Sequence, residues 1–470
     1  MKKKTNPNTE TKKRAKLSSY MATRSDKMRR PVYYSTRSED RELQPRERQT
    51  LISEARLTLR NFTLAGFALR KHLQFMSFYR FSAGTPNDAF NKALEKRVKR
   101  WENECDATGR RNFQSLMYLV ESARAVDGDV GLLKLSNGRV QLIEGDRIRN
   151  SSGNDLTDEW VHGVKVNNYG KILAFDISKR TPYSGFEHER FISAKNLDLL
   201  GYYTRPDEIR GVSLLAPASR LLSQLTDCID LALSKQRLEQ AFGLAATMDT
   251  PGPLADIDEE TEKALQERGD SFHRQATDVF GEGVFSYIMS PGEEVRFLES
   301  NNPSSNFQQF AEQIIRLTFA AWDIPYSFFD NANNSWSGAN AETAHYIDSL
   351  EQKQNPTISI LDKWLFEWLI PLWVFDECSL ELPDGWTIDD LKGDIGWSGA
   401  SYPQFVMLDR VKELLVALQA GLLPPSETIG SYGYDVKRNL EDAAGVRQYA
   451  EQLGLSVNFG QSADATNIGL

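Results

Sequence analysis

Residues 301–360 constrain this chain more than any other stretch. Phe307, Phe310, Ala311, Ile314, Leu317, Thr318 and Ala321 recur at i, i+3, i+4 and i+7, an apolar stripe that predicts a helix. Ser304 or Ser305 can cap its start, and Pro325 ends it after Asp323. Residues 330–340 are mostly Asn, Ser and Gly around a single large side chain, Trp336, a composition that packs no core and reads as an exposed loop. A second helix is predicted from near Ala341 through Ala344, Ile347 and Leu350, with Pro356 placed to kink it. The pattern is helix, polar loop, helix.

At 470 residues the chain exceeds one ordinary domain, so two to four units are expected. Its 24 Phe, 16 Tyr and 9 Trp supply sizeable cores. The longest apolar patch, residues 364–375 (WLFEWLIPLWVF), is broken by Glu367 and Pro371 and is too short to span a bilayer. It reads as a buried helix end entering a strand. Lys2, Lys3 and Lys4 precede no apolar run of a secretory signal, so a soluble, intracellular product without a membrane partner is expected. Cys105, Cys228 and Cys378 lie too far apart for a disulfide framework or a zinc pattern.

The net charge of −9 conceals two opposed blocks. Residues 1–30 carry eleven Lys/Arg against Glu10 and Asp26, and residues 1–46 read as a basic flexible arm. Residues 249–300 carry thirteen Asp/Glu against Lys263, Arg268, Arg274 and Arg296, which suits an exposed protein-binding face. Between these blocks, helices are expected over 48–72, 87–105 and 112–126. The period then drops to two. Strands 130–135 and 139–143 flank Ser136-Asn137-Gly138, and strands 161–166 and 171–177 flank Asn167-Asn168-Tyr169-Gly170. Gly211 would allow a tight turn, Ser213 would cap a helix running to Phe242, and Pro217 sits in its first turn. The acidic block reads as helix 258–272 with strands 283–289 and 294–298. A short strand over 378–382 and helices over 403–420 and 436–453 complete the chain.

No active site emerges from the residue types. Glu342-x-x-His345 is half of a di-iron helix motif without its other half, and a surface pair is the plainer reading. Asp127-Gly128-Asp129 lacks the remaining oxygen ligands of a calcium loop and reads as a turn before a strand. No G-x-x-x-x-G-K-[ST] is present, which excludes an ATP-driven motor of P-loop type. Catalytic, metal and cofactor sites are therefore all expected to be none. Trp336 could be a functional contact or a loop residue that docks on a neighbour.

Several phrases resemble the portal proteins of tailed bacteriophages, in the lambda-type family. The strongest is FQQFAEQIIRLTFAAWDIPYSFFDNANNSWSGANAE from Phe307, in which Trp322–Phe329 stands where the family has a "G-V-P-Y-E-L-L"-like phrase. Others are Arg60-Asn61, Trp101-Glu102, Asp106, and Phe113, Leu116 and Arg124 leading into Asp127-Gly128-Asp129. LIEGDRI (142–148), HGVKVNNYGKILAFDI (162–177) and RPDEIRGVSLLAPA (205–218) follow in family order.

The resemblance implies an α+β portal fold of wing, stem, clip and crown with long stem and spine helices, ringed around a channel. Its parts would be a wing over 47–211 with a return over 371–400, stem helices over 212–242 and 304–329, and an acidic clip over 243–303. A tunnel loop would span 330–341, a spine helix 342–370, a crown 401–457, and a flexible tail 458–470. The implied function is a dodecameric homo-oligomer at one capsid vertex, through which double-stranded DNA passes without sequence specificity. Implied partners are the terminase large subunit, major capsid and scaffolding proteins, and a head–tail adaptor; the implied location is the virion, and host cytoplasm during assembly. Asn331, Asn333, Asn334, Ser335, Trp336, Ser337 and Asn340 would face DNA, and Asp256, Asp258, Glu259, Glu260, Glu262 and Glu267 would dock the motor. An acidic conduit suits sliding DNA, because each neutralised phosphate adds salt-dependent affinity. The alternative is another α+β virion scaffold or shell protein.

Overall fold

Among the described residues, three antiparallel sheets and a set of helices share three apolar cores. The computed structural model describes residues 38–151, 159–183, 185–243, 305–330, 335–399 and 436–455, with a few isolated positions besides. The expected basic arm up to residue 37, nearly all of the acidic block, most of 400–435 and the tail beyond 455 lie outside the described residues.

Helices α1 (Glu39–Glu42), α2 (Pro45–Asn61) and α3 (Thr63–Met76) open the described chain. The predicted helix over 48–72 is two helices. Phe62 ends one and starts the next at φ −106°, ψ 108°, a break that apolar periodicity does not register. Next come β1 (Tyr79–Ala83), α4 (Asp88–Glu104) and α5 (Phe113–Asp127). Asn87 and Asn112 cap the two helices by accepting from Phe90 N and Ser115 N.

Strands β2 (Asp129–Lys134) and β3 (Val140–Glu144) form the predicted hairpin, with Gly138 at φ 78° in its turn. Then follow β4 (Trp160–Val161), β5 (Val164–Val166), β6 (Ile172–Arg180), β7 (Phe186–Ser193) and β8 (Leu197–Gly201). The predicted strand over 161–166 is itself a hairpin, because His162 and Gly163 turn the chain at φ 47° and 86°. The sheet orders are β3-β2-β8 and β4-β5-β6-β7.

Helix α6 (Ala216–Gly243) begins three residues after Ser213, whose hydroxyl accepts from Leu215 N in the turn before it. Gly211 supplies close approach in place of the expected tight turn: a Cβ there would meet Gly128 O at 2.1 Å. Helices α7 (Ser305–Ala320) and α8 (Trp336–Trp364) follow. Beyond α8 the chain stays helical through two π turns, Leu365–Leu369 and Leu372–Asp376, and the strand expected over 378–382 is absent. Cys378 at φ 49° turns the backbone there instead. Strand β9 (Ile395–Gly399) pairs with β1 across more than 300 residues, and α9 (Val436–Gln452) is the last described helix.

The first core joins α4, α5, the β1–β9 pair and the π turns around Trp101, Phe113, Trp364, Trp373 and Trp397. The second joins α2, α3, the start of α6, the end of α7 and α8. The third lies under the hairpins, with Ile143, Val164, Phe175 and Ile177 at its centre. Among the described residues no helix is long and apolar enough to cross a membrane.

Candidate functional site

The segment singled out by sequence is held at both ends by packing. Helix α7 closes with Ile324 N donating to Phe319 O at 3.0 Å and Asp323 N to Ala320 O at 3.1 Å, the paired bonds of a Schellman cap. The cap needs a left-handed residue, and Asp323 supplies it at φ 54° where glycine is usual. Its carboxylate meets Lys353 Nζ of α8 at 2.8 Å. Phe319 and Ile324 share the second core, and Pro325 follows.

Aromatic rings fix the next turn, Tyr326–Phe328. Phe328 stacks on Phe75 at 5.5 Å and meets Tyr346 edge-on at 5.3 Å. Phe329 packs on Phe67 and Phe319. Arg316, paired with Glu312 at 2.7 Å, lies 4.4 Å over the Tyr326 ring. Beneath them Trp322 is buried edge-on against His72, whose Nε2 lies 3.3 Å from Tyr202 Oη. Burial pushes this imidazole down to about 3, with Lys353 and Arg124 adding in the same direction.

On the other side, Ser335 caps α8 by accepting from Gly338 N at 3.2 Å. The expected loop over 330–341 therefore ends at Ser335. Trp336, Ser337 and Asn340 belong to the first turns of α8. Their low helix propensity marked them as loop, but a serine cap and downstream burial of Tyr346 and Leu350 extend the helix to them. Asn331, Asn333 and Asn334, and the acidic positions Asp256, Asp258, Glu259, Glu260, Glu262 and Glu267, lie outside the described residues. Glu342 and His345 are both exposed on α8, and no cluster of three metal-ligating side chains occurs among the described residues.

Helix α8 is gripped where Pro356 interrupts its hydrogen bonding. Arg124 Nη1 donates to Lys353 O at 3.0 Å, and Gln354 Nε2 reaches Phe75 O and Met76 O. Thr357 and Tyr79 both donate to Glu121 Oε1, at 2.8 and 2.7 Å, and Arg124 meets Glu121 Oε2 at 3.2 Å. Arg124 also lies 4.0 Å over the Tyr202 ring. These contacts tie the proline turn of α8 to α5.

A second polar cluster anchors the start of α6. Buried Asp129 accepts from Arg210 Nε and Nη2 at 2.7 and 2.8 Å, Arg48 Nη2 at 2.9 Å and Gly211 N at 3.0 Å. Arg210 also reaches the carbonyls of Gly145, Ile148 and His162, so all five guanidinium N–H groups have an acceptor. Burial opposes the Asp129 charge, but Arg210 and Arg48 outweigh it and hold the carboxyl below its ordinary value. Asp40 receives Ile209 N and Arg210 N, while its own carbonyl contacts His162 Nε2 at 2.8 Å. Burial, then Arg210, push His162 down to about 4. Asp127-Gly128-Asp129 reads by sequence as a turn before a strand. Arg48, Asp129 and Arg210 stand 81 residues apart in each successive step, and although Asp129 and Arg210 both fall in family-like phrases, nothing local to either points to the cluster.

A sequence model described as "Phage portal protein, lambda family" matches residues 27–354. A probable portal protein of Halomonas phage phiHAP-1 is 24% identical over 323 residues, which are 63% of this chain and 58% of that protein. Solved structures with similarity include the neck of a native gene transfer agent particle computed with C12 symmetry, at 12% identity and TM-score 0.45 over 83% of this chain and 94% of that one. The neck of an empty such particle, computed with C6 symmetry, gives 12% identity and TM-score 0.47 over 86% and 95%. The family match runs unbroken from the charged cluster before α6 to the α7–α8 junction, and this chain belongs to the lambda family of phage portal proteins.

Proposed function

We propose that the chain forms a twelve-membered ring at one capsid vertex, the conduit for genome packaging and ejection. The observation that carries this reading is the family match across residues 27–354. The ring reading is supported by apolar side chains that the single chain leaves in water. Ile229, Leu231 and Leu233 on α6, and Phe310 and Leu317 on α7, are exposed on helices that pack together. Identical subunits joined by head-to-tail contacts close into a ring when the rotation per subunit allows it. At 28 residues α6 extends about 42 Å, a length suited to a channel wall.

Within that ring, the short segment between Phe329 and Ser335 is the DNA-facing loop. Its Asn and Ser side chains touch phosphates without a fixed charge, so they add little of the salt-dependent affinity that would brake sliding DNA. Asp330 and Ser335 bound it, and the aromatic cluster and the α8 cap hold those bounds. The acidic block docks basic surface on the terminase large subunit and later the head–tail adaptor. Capsid and scaffolding proteins contact the outer body.

The test is particle mass and symmetry of the purified chain, by light scattering and electron microscopy. Twelve chains of 53.2 kDa give about 640 kDa and a ring with a central channel. Leu231→Glu with Leu317→Glu lowers the ring fraction. A chain that stays monomeric when capsid and scaffolding proteins are added rules the reading out.

A further inference from the structure

Two elements packed on the first core carry opposite charges on their outer surfaces. On α4, Lys92, Lys96, Lys99 and Arg100 recur at i, i+4, i+7 and i+8, so they share about 100° of arc on one face. All four are exposed. Lys99 meets Glu102 at 2.9 Å, whereas Lys92, Lys96 and Arg100 have no acidic partner among the described residues. The chain between the second π turn and β9, residues 376–394, carries seven carboxylates against Lys392 alone. Glu377 meets Arg97 at 2.5 Å and Asp389 meets Lys392 at 2.7 Å. Glu381, Asp384 and Asp394 are exposed, without a basic partner among the described residues.

The two surfaces adjoin and yet do not neutralise each other. The acidic segment packs on α4 through Phe90, whose ring lies 6.4 Å from Trp386, and through Arg97, which holds Glu377 and Ser379. Phe90 and Arg97 lie about a third of a turn or more around α4 from the middle of the basic stripe. The stripe and the acidic segment therefore look in different directions on one body.

A second copy of the chain supplies what each surface lacks. Stripe against stripe, or acidic segment against acidic segment, sets like charges together, while stripe against acidic segment is attractive and head-to-tail, the kind of contact that closes a ring. Exposed ion pairs add little stability one by one, but several in register fix which neighbour is accepted and in what orientation. We propose that in the ring the α4 stripe of each subunit seats on residues 381–394 of the next, with Lys92, Lys96 and Arg100 facing Glu381, Asp384 and Asp394. This contact rests on the ring reading above and adds to it the surface that sets the orientation of neighbours.

Two full-length variants test the contact. One carries Lys92→Glu, Lys96→Glu and Arg100→Glu, and the other Glu381→Lys, Asp384→Lys and Asp394→Lys. Each alone lowers the fraction of chains in rings by about fivefold or more at low salt, read by light scattering and electron microscopy. Mixed in equal amounts they form rings again, because each then offers the other the sign it lacks. That rescue cannot come from misfolded chains or from charges paired within one chain. Single variants that form rings as the unaltered chain does, or a mixture that stays unassembled, overturn the contact and leave the ring reading standing. A stripe variant that keeps its rings but loses affinity for a short DNA duplex gives the stripe to nucleic acid and also overturns it. An unaltered chain that forms no ring with capsid and scaffolding proteins present removes both readings.

Discussion

Asp129 and Arg210 show what a buried ion pair requires. Both side chains are fully buried, and the pair stands because every guanidinium N–H and both carboxylate oxygens are used. Lysine offers one point charge where arginine offers a planar fork. Arg210→Lys therefore leaves buried carbonyls without donors and lowers stability by about 3–5 kcal/mol, to be read from urea unfolding. A loss below about 1 kcal/mol would show that water enters the cluster. His72 and His162 give the protein an acid sensitivity of definite sign. Each is neutral when folded and has its value lowered from 6.5, to about 3 and about 4. The unfolded chain takes up these protons first as pH falls. The stabilisation is thus complete above about pH 6.5 and is lost progressively below it. Melting temperature should fall between pH 6.5 and 4.5, and His72→Gln should flatten that slope. An unchanged slope would place the sensitivity elsewhere.

At the scale of elements, the α7 cap sets two effects against each other. Asp323 bears the left-handed conformation, which costs roughly 1–2 kcal/mol, and returns an ion pair to Lys353 that solvent screening limits to about 1 kcal/mol. Asp323→Gly removes both and should leave the melting temperature nearly unchanged. Asp323→Ala removes only the ion pair and should destabilise by about 1 kcal/mol. Equal losses in the two variants would sink the cap argument. The segment after it is short and bounded by rigid structure, so its side chains can be altered without unfolding what holds them. Replacing Asn331, Asn333 and Asn334 together with Trp336 by Ala should leave assembly intact and reduce packaged DNA at least severalfold. Loss of the ring instead would mean that the segment is subunit contact and not a DNA-facing loop.

For the molecule as a whole, charge is divided between a basic block over residues 1–30 and an acidic block over 249–300, and the proposed docking rests on that division. Reversing Asp258, Glu259, Glu260 and Glu262 to Lys should weaken terminase binding by tenfold or more at low salt and less at high salt. Binding that is unchanged at low salt would remove the assignment. Local signals were enough for much of this fold. The α7 stripe, Pro325 after it, the Asn caps of α4 and α5, and the Asn-Gly hairpin are written in neighbouring residues, because caps, turns and periodicity act within a few positions. The family phrases were legible for the same reason. Other features depended on partners far away in the chain. The start of α8 at Trp336 follows from a serine cap and a helix face buried against α3 and the turn after α7, which outweigh the poor propensity of Ser, Gly and Asn. The β1–β9 pair joins residues more than 300 positions apart, and the chain stays helical through the π turns up to Asp376 with Trp364, Leu365, Leu369 and Trp373 buried in the first core. Asp129 reads as part of a turn until Arg48 and Arg210 close on it. The sequence alone determined the family, the α7 stripe and its end, the caps of α4 and α5 and the first hairpin. Tertiary packing decided where the second helix begins and which charges lie inside, because burial is a property of the folded chain and not of any window along it.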